Sequence, residues 1–577
     1  MRARRFLVWF FSLVILLGAA FLFLPSVDQL VYQYAPRWYR YVAPSYEYAP
    51  PSKPVEYGKV EPPCPDEFPE WRKEQVVDGV KVEEDPSCTP DNPAEVAAFV
   101  RGTNNVSHAT LMKSGLSMDA VVLENDRDGD GDPDDITIRL EVAELNGRSP
   151  DVPFPVPAYF IAPGIQPGFW VFAPKTHGMV TKNFVDYEVN PLIRVPSPTV
   201  RVEQGDHVKI ILENTHYIPH TIHLHGVDHP YYLDHPVHGE PRGNDGVPET
   251  SHTPVMPGES FTYEITPRVA GSMLYHCHEQ PPVHQRMGLF GGFVIEENRP
   301  NNWPQTLNVG GGKIRHPSVA VKEKYAGEYD LLYQEVDTKV NDIIKQSNDP
   351  RPIARATTRL YQGHIADPDY FLLNGKSFPN TLRDSQIIVE ENKKYKLRMF
   401  NIGDDRDTAI HTHGHKLAIT HYDGVPHNPE AWITRDVFHL APGQRIDLEL
   451  DTTNDGLHSY GQGVWMFHDH KETAILTNGQ FPGGNVSLIT YKPFLGPSGL
   501  PKTHGVDLAP FFTKEFYERK FPVWTTYDKE GRLADPGTVG PALTRPLVLA
   551  FLAGLLIAGI VLFTRTGVKK GPVEVSK

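Results

Sequence analysis

Cysteine is scarce: Cys64, Cys88 and Cys277 are the only three among 577 residues, which excludes a disulfide-built scaffold. A positive excess is also missing. Lys and Arg total 56 against 71 Asp and Glu, a formal net charge of −15, so the basic footprint required by phosphate backbones is absent and nucleic acid is excluded as a partner. What is present is apolar and rich in turns. Hydrophobic residues make up 40%, which excludes a disordered polymer, and the length is nearly fourfold a roughly 150-residue domain, enough for at least two cores. Proline, at 54 residues, is nearly twice its usual share of about 5%, which suits loops and edge strands better than helices. Histidine stands out at 26.

The two ends carry the long apolar runs. Phe6 to Leu24 is free of charge and follows Arg2, Arg4 and Arg5, long enough to cross a bilayer core. Residues 1–25 therefore read as a signal anchor, or as a signal peptide cleaved near Gly18-Ala19-Ala20. Leu547 to Phe563 is again charge-free, with Arg565, Lys569 and Lys570 behind it. A second span over 546–564 leaves a cytoplasmic tail at 565–577 and puts everything between the spans outside the cytoplasmic (inner) membrane of a bacterium, on the periplasmic side.

Residues 26–114 are Pro- and Tyr-rich without a sustained period and read as an extracytoplasmic linker, with Cys64 and Cys88 bridged or free. From 115 to 300 and from 325 to 495, short alternating segments such as TVRVEQGDHVKIILEN and KKYKLRMFN are separated by Pro/Gly turns. This predicts an all-β chain of two Greek-key β-sandwiches joined by a linker at 301–324 and followed by an extension at 496–545. The two regions repeat one another: HTIHLHG and HTHGH, then DGVP, then PGESFTYEI and PGQRIDLEL, then YHCH and FHDH. Duplication is visible within the single chain.

Before the first sandwich, Asp126, Asp128, Asp130 and Asp134 alternate with glycines in DRDGDGDPDD. That spacing aims several hard oxygens at one Ca²⁺, although Thr137 stands where an EF-hand loop has its bidentate acid. A calcium loop and a plain acidic turn both fit.

Four His-x-His pairs dominate the chemistry: His223/His225, His276/His278, His411/His413 and His468/His470. On a strand, i and i+2 face one side, so each pair presents two imidazoles in one direction. Eight imidazoles exceed the needs of a single first-row ion. Cys277, between His276 and His278, points to the opposite face, toward His284 and Met287. With His220, three residues before His223, it completes the two imidazoles, thiolate and thioether of a blue-copper electron-transfer site.

On HTIHLHG, NDGVPET, PGESFTYEITP and YHCH, then LNGKSFP, HTHGH, PGQRIDLEL and FHDH, the sequence resembles the two-domain multicopper oxidases (laccase-like, blue copper oxidases) over about 115–495. The resemblance implies two cupredoxin domains and four coppers per chain. It assigns type 1 copper to His220, Cys277, His284 and Met287, type 2 to His223 and His411, and a type 3 pair to His225, His276, His278, His413, His468 and His470. The second domain departs at every type 1 position, carrying Thr408, Asp469, Leu476 and Gly479. The family implies oxidation of a donor coupled to reduction of O₂ to water, with Asp245 and Glu472 as candidate proton carriers, although Asp–Gly is also a common turn pair. It further implies a homotrimer with each cluster between neighbouring chains. The donor stays open among phenols, metal ions and a membrane-associated redox protein, and the polar-aromatic loop His229, Tyr231, Tyr232, His235 and His238 is a candidate border of the type 1 site.

Two rivals are weaker. Copper nitrite reductases have an aspartate where His223 stands and no histidine at the place of His278. A non-enzymatic copper-handling protein calls for Met-rich tracts, whereas 9 methionines occur here, unclustered.

Overall fold

Strand Asp135–Leu145 alternates inward Ile136, Ile138, Leu140 and Val142 with outward polar residues, the period of a half-buried strand. It pairs antiparallel with Val121–Glu124 and Phe169–Pro174 and parallel with His207–Glu213, which Ser260–Ile265 extends. The facing sheet runs Leu307–Asn308, Thr199–Glu203, Phe290–Glu296, Gly271–His276 and His223–His225. Between the sheets lies an apolar core that includes Ile138, Trp170, Val208 and Phe293.

The computed structural model describes residues 120–503 apart from 149–154, 156–157, 175–193, 215, 228, 234–241, 348, 404–405, 478 and 497–498, together with 75–77, 80–82, 508–517 and 554–555. Both apolar end segments, apart from 554–555, and the Cys64/Cys88 pair lie outside these residues. Among the described residues no helix is long and apolar enough to cross a membrane. Within 26–114, Gln75–Val77 and Val80–Val82 form a small antiparallel pair. Residues 508–517 hold two short helical turns, with the Phe511 and Phe516 rings edge to face.

The second sandwich repeats the plan of the first. Glu328–Val336 runs parallel to Lys394–Asn401, as Asp135–Leu145 does to His207–Glu213, and Ile387–Val389 runs parallel to Ser487–Tyr491, as Thr199–Glu203 does to Phe290–Glu296. The stretch 301–324 supplies edge strands to both halves: Leu307–Asn308 joins the first and Gly312–Lys313 the second.

Apolar and ionic contacts fuse the halves. Leu274, Phe290 and Val294 pack against Leu332, Phe400 and Ile402. Beside them two buried guanidiniums bridge the sandwiches: Arg201 donates to both oxygens of Asp330 at 2.6 and 2.8 Å, and Arg398 donates to Glu296, Glu328 and Asp447. Close pairing of opposite charges of this kind is what permits charge inside a core. Short helices at Thr338–Asn341, Ile343–Gln346 and Pro350–Arg355, two of them capped by Asp337 and Asp349, send Val340, Ile343, Ile344 and Ile353 into the core of the first sandwich.

Candidate metal centres

The first set, two ring nitrogens and a thiol sulfur, forms at the end of strand Gly271–His276. The chain leaves the strand at Cys277, whose N–H donates to Leu289 O at 3.0 Å, and then enters a helix, Pro281–Met287. The sequence pattern did not indicate this helix. Its start is fixed by prolines at the first two positions, which need no N–H partner, and its end by Gly288 at φ 112. His284 and Met287, three apart, share a face. Cys277 Sγ lies 3.2 Å from His284 Nδ1 and 3.7 Å from His220 Nδ1, and His220, Cys277, His284 and Met287 are all at most 3% exposed.

Burial controls the protonation of this pocket. It pushes the Cys277 thiol up to about 12 and holds His284 at about 3 and His220 well below its usual value. The imidazoles are thus neutral, the ligating form, and the thiol ionises only when a cation sits against it. Two ring nitrogens, a sulfur and a buried thioether suit copper.

The paired histidines form two tetrads. In the first, the rings of His223, His225, His276 and His278 lie with centroids 5.0–5.7 Å apart. In the second, His411, His413, His468 and His470 lie 4.8–5.8 Å apart. Strand register explains the match: His276 stands opposite His223, and His468 opposite His411.

Backbone carbonyls fix the tautomers. His276 Nδ1 is 2.9 Å from Cys277 O and His468 Nδ1 is 2.9 Å from Asp469 O. A carbonyl only accepts, so each Nδ1 carries the proton and each Nε2 presents a bare lone pair. Those lone pairs face other imidazoles: His276 Nε2 is 3.0 Å from His225 Nε2, and His468 Nε2 is 3.3 Å from His413 Nε2. His278 Nδ1 is buried without a hydrogen-bond partner. Burial holds His225 at about 4 and His276 at about 3. Converging neutral imidazoles of this kind are a donor set for first-row metal ions.

Asp245 lies beside this set. Its carbonyl O is 2.7 Å and its carboxylate 3.2 Å from His223 Nδ1. Gly246 makes this possible: at φ +74, a Cβ there would stand 1.9 Å from Ile222 O, so the Asp–Gly turn presses directly on the backbone leading into His223. The second sandwich has an equivalent that sequence reading missed: His411 Nδ1 is 2.9 Å from Asp436 O and 3.9 Å from its carboxylate. Glu472 is more remote, 4.0 Å from His470 Nδ1 with its side chain 78% exposed.

The loop after the first tetrad is described only in part. His229 stacks on His223 at 5.6 Å, at the edge of the first tetrad. Tyr231 and Tyr232 pair with Gly243 and Arg242, and His235 and His238 lie outside the described residues. In the acidic loop, Asp126, Asp128 and Asp134 bring one oxygen each within 4.8 Å of the others. Asp130 is not one of this trio; its N–H donates to Asp126 and Asp128.

Sequence reading also missed the side chains behind His220. His216, Glu144, Trp170 and Tyr217 wrap that ring, with Trp170 against His216, His220 and His284 at 5.1, 6.3 and 5.4 Å. A visible signal existed in His216, four residues before His220, but no strand period pairs i with i+4.

A duplicated sandwich with a histidine tetrad at one end of each half and a His–Cys–His pocket in the first defines a cupredoxin-like class of metal-binding protein. Two stretches, 192–300 and 344–479, match models of the multicopper oxidase family. It is similar to putative laccase-1 of Oryza sativa subsp. japonica, 24% identical over 264 residues, covering 44% of this chain and 37% of the relative. Similarity to laccase-2 of Botryotinia fuckeliana is 24% over 272 residues, covering 47% and 41%. The chain thus spans less than half the length of these curated relatives. Among solved structures, a blue copper oxidase from Nitrosomonas europaea is 24% identical, covering 69% of this chain and 99% of that one, with a TM-score of 0.44.

Proposed function

We propose that the protein is a membrane-anchored oxidase that removes single electrons from a donor at the Cys277 pocket and uses them to reduce O₂ to water at the histidine tetrads. Copper supplies the one-electron redox change and the O₂ chemistry: one ion in the pocket of His220, Cys277, His284 and Met287, and three on the eight paired histidines. Cys277 is bonded on both sides to a tetrad residue, His276 and His278, so electrons collected at the sulfur have a short covalent path to the tetrad. Reduction of one O₂ to two waters takes four electrons and four protons. Asp245, at 3.2 Å from His223 Nδ1, is placed to pass protons; Glu472 and Asp436 stand at the margin of the second tetrad.

The observation that carries this reading is the tautomer match of the two tetrads, each with a carbonyl-fixed imidazole aiming its Nε2 at a neighbour. Among the described residues no ring of one tetrad packs against a ring of the other, and His470 keeps its side chain 56% exposed. Each tetrad is therefore half of a site. A closed ring of three chains, the first sandwich of each facing the second sandwich of the next, satisfies every half with one repeated interface.

The test is copper content and oxygen uptake on the full chain. Four coppers per chain and a blue band at roughly 600 nm are expected, with O₂ consumed when phenols, Cu⁺, Mn²⁺ or a redox protein is supplied. A colourless protein with full copper, or release of nitric oxide from nitrite at a comparable rate, overturns it. Calcium in the acidic loop and the membrane spans belong to the same reading, tested by metal analysis and by membrane fractionation.

A further inference from the structure

Behind the Cys277 pocket lies a group of buried polar side chains that the proposed chemistry does not use. His216 Nδ1 is 2.9 Å from His220 Nε2. Its own Nε2 is buried, has no partner at hydrogen-bond distance, and lies 3.8 Å from Glu144 Oε2. That same carboxylate oxygen accepts from Trp170 Nε1 at 3.0 Å and from the Tyr217 hydroxyl at 2.6 Å. The Tyr217 ring lies tilted against His216, their centroids 3.9 Å apart.

Proton placement follows from the pocket. His220 turns Nδ1 toward Cys277 Sγ, so a metal there binds Nδ1 and leaves the ring's one proton on Nε2. Nε2 then donates to His216 Nδ1, which leaves the proton of His216 on its own Nε2, directed at Glu144. A cation in the pocket fixes this direction along the whole chain from His220 to Glu144. An apolar side chain at 216 would fill this space without burying an imidazole nitrogen that lacks a partner at hydrogen-bond distance, a costly state. A ligand imidazole whose remote N–H is engaged by an acceptor becomes a stronger donor to its metal.

We propose that Glu144 and His216 are positioning residues that act through His220, holding its ring plane and lowering the reduction potential of the copper in the Cys277 pocket. The proposal rests on the reading of His220 as a copper ligand. Trp170, edge-on to His216, His220 and His284, and hydrogen-bonded to Glu144, ties both ligand rings to the same carboxylate.

The experiment is a redox titration of the blue band on the full-length, copper-loaded protein as wild type, His216→Phe, His216→Gln and Glu144→Gln, with copper content measured for each. His216→Phe is expected to keep its copper and blue band but to shift the oxidised-to-reduced ratio toward reduced about tenfold at fixed potential, or about 59 mV for one electron. Glu144→Gln shifts it the same way by less. His216→Gln, whose amide oxygen still accepts from His220, recovers most of the wild-type value. Where His216→Phe fails to load copper, Glu144→Gln and His216→Gln carry the test. Potentials unchanged in the loaded variants overturn the relay while leaving the copper reading intact. A wild type without copper or colour overturns both.

Discussion

The two sandwiches share strand order and tetrad geometry but differ where the first holds Cys277. In the first, the N–H of Thr221 points at Cys277 Sγ from 3.5 Å; in the second, the equivalent N–H of Ala409 donates to Asp469 at 3.0 Å. Asp469 also accepts from Lys471 N–H at 3.1 Å. One backbone donor thus serves a sulfur in one half and a carboxylate in the other. Both halves keep an acceptor at this corner, and in the first it is the sulfur of the candidate metal pocket. Thr408, Leu476 and exposed Gly479 complete the contrast, since none offers a nitrogen or sulfur. What both halves keep is the tetrad and the Asp carbonyl behind its first histidine. In the proposed function, electron entry belongs to one half, whereas the cluster needs both.

The sharpest way to break this comparison is to exchange the two corners. Cys277→Ser is expected to abolish the blue band and all donor oxidation while copper stays on the tetrads, whereas Asp469→Ser leaves the band unchanged; equal spectral loss in both would contradict the asymmetry. Next come the tetrads, where the halves should behave alike. His278→Ala and His470→Ala are each expected to remove nearly all oxygen uptake yet retain colour. Co-expressing a chain lacking His223 and His225 with one lacking His411 and His413 should then restore part of the uptake in mixed oligomers; no restoration in mixed oligomers means the cluster forms within one chain.

A smaller effect is expected from the carboxylates behind the first histidines. Asp245→Asn should slow oxygen uptake about 10–100-fold, the usual range for a partner behind a metal-binding histidine. Asp436→Asn, with its carboxylate farther from His411 at 3.9 Å, should slow it less. Steady-state kinetics at saturating donor measure both, and a larger loss at Asp436 would reverse the ranking. The smallest effect belongs to the acidic loop, which has no counterpart in the second sandwich. Calcium at a hundredfold excess over its Kd should stabilise the protein by about 2.7 kcal/mol, read as a rise in thermal midpoint. The triple change of Asp126, Asp128 and Asp134 to Asn should erase that rise, and an unchanged midpoint in wild type excludes the ion.

Much of the site was legible because strand geometry writes it into local spacing. His-x-His on a strand, a cysteine between two histidines, and a motif order repeated in both halves need no long-range information. The missing parts are those that only tertiary contact creates. Glu144 meets Tyr217 across 73 residues of sequence, and nothing in ITIRLEVAEL distinguishes its last acid from Glu141. Asp436 was hidden because the second half presents its carbonyl from TRDVF, without the Asp–Gly turn that marks Asp245. The helix Pro281–Met287 was hidden because its two prolines read as a turn, although at a helix start they are well tolerated. His284, taken alone, resembles a surface loop residue; the helix makes it a buried one.

The apolar side chains that the 338–355 helices send into the first sandwich also set an order of events during synthesis. The last strand of that sandwich ends at Asn308, but Ile353, which closes its core, emerges about 45 residues later. At ribosomal rates of about 5–20 residues per second, that is a wait of roughly 2–9 s. During that interval the first half holds all its strands and all its pocket ligands over an open apolar surface. Cutting the gene after the first half would therefore yield an aggregating fragment instead of a free-standing blue domain, and the two repeats, though duplicated, have ceased to be separable modules.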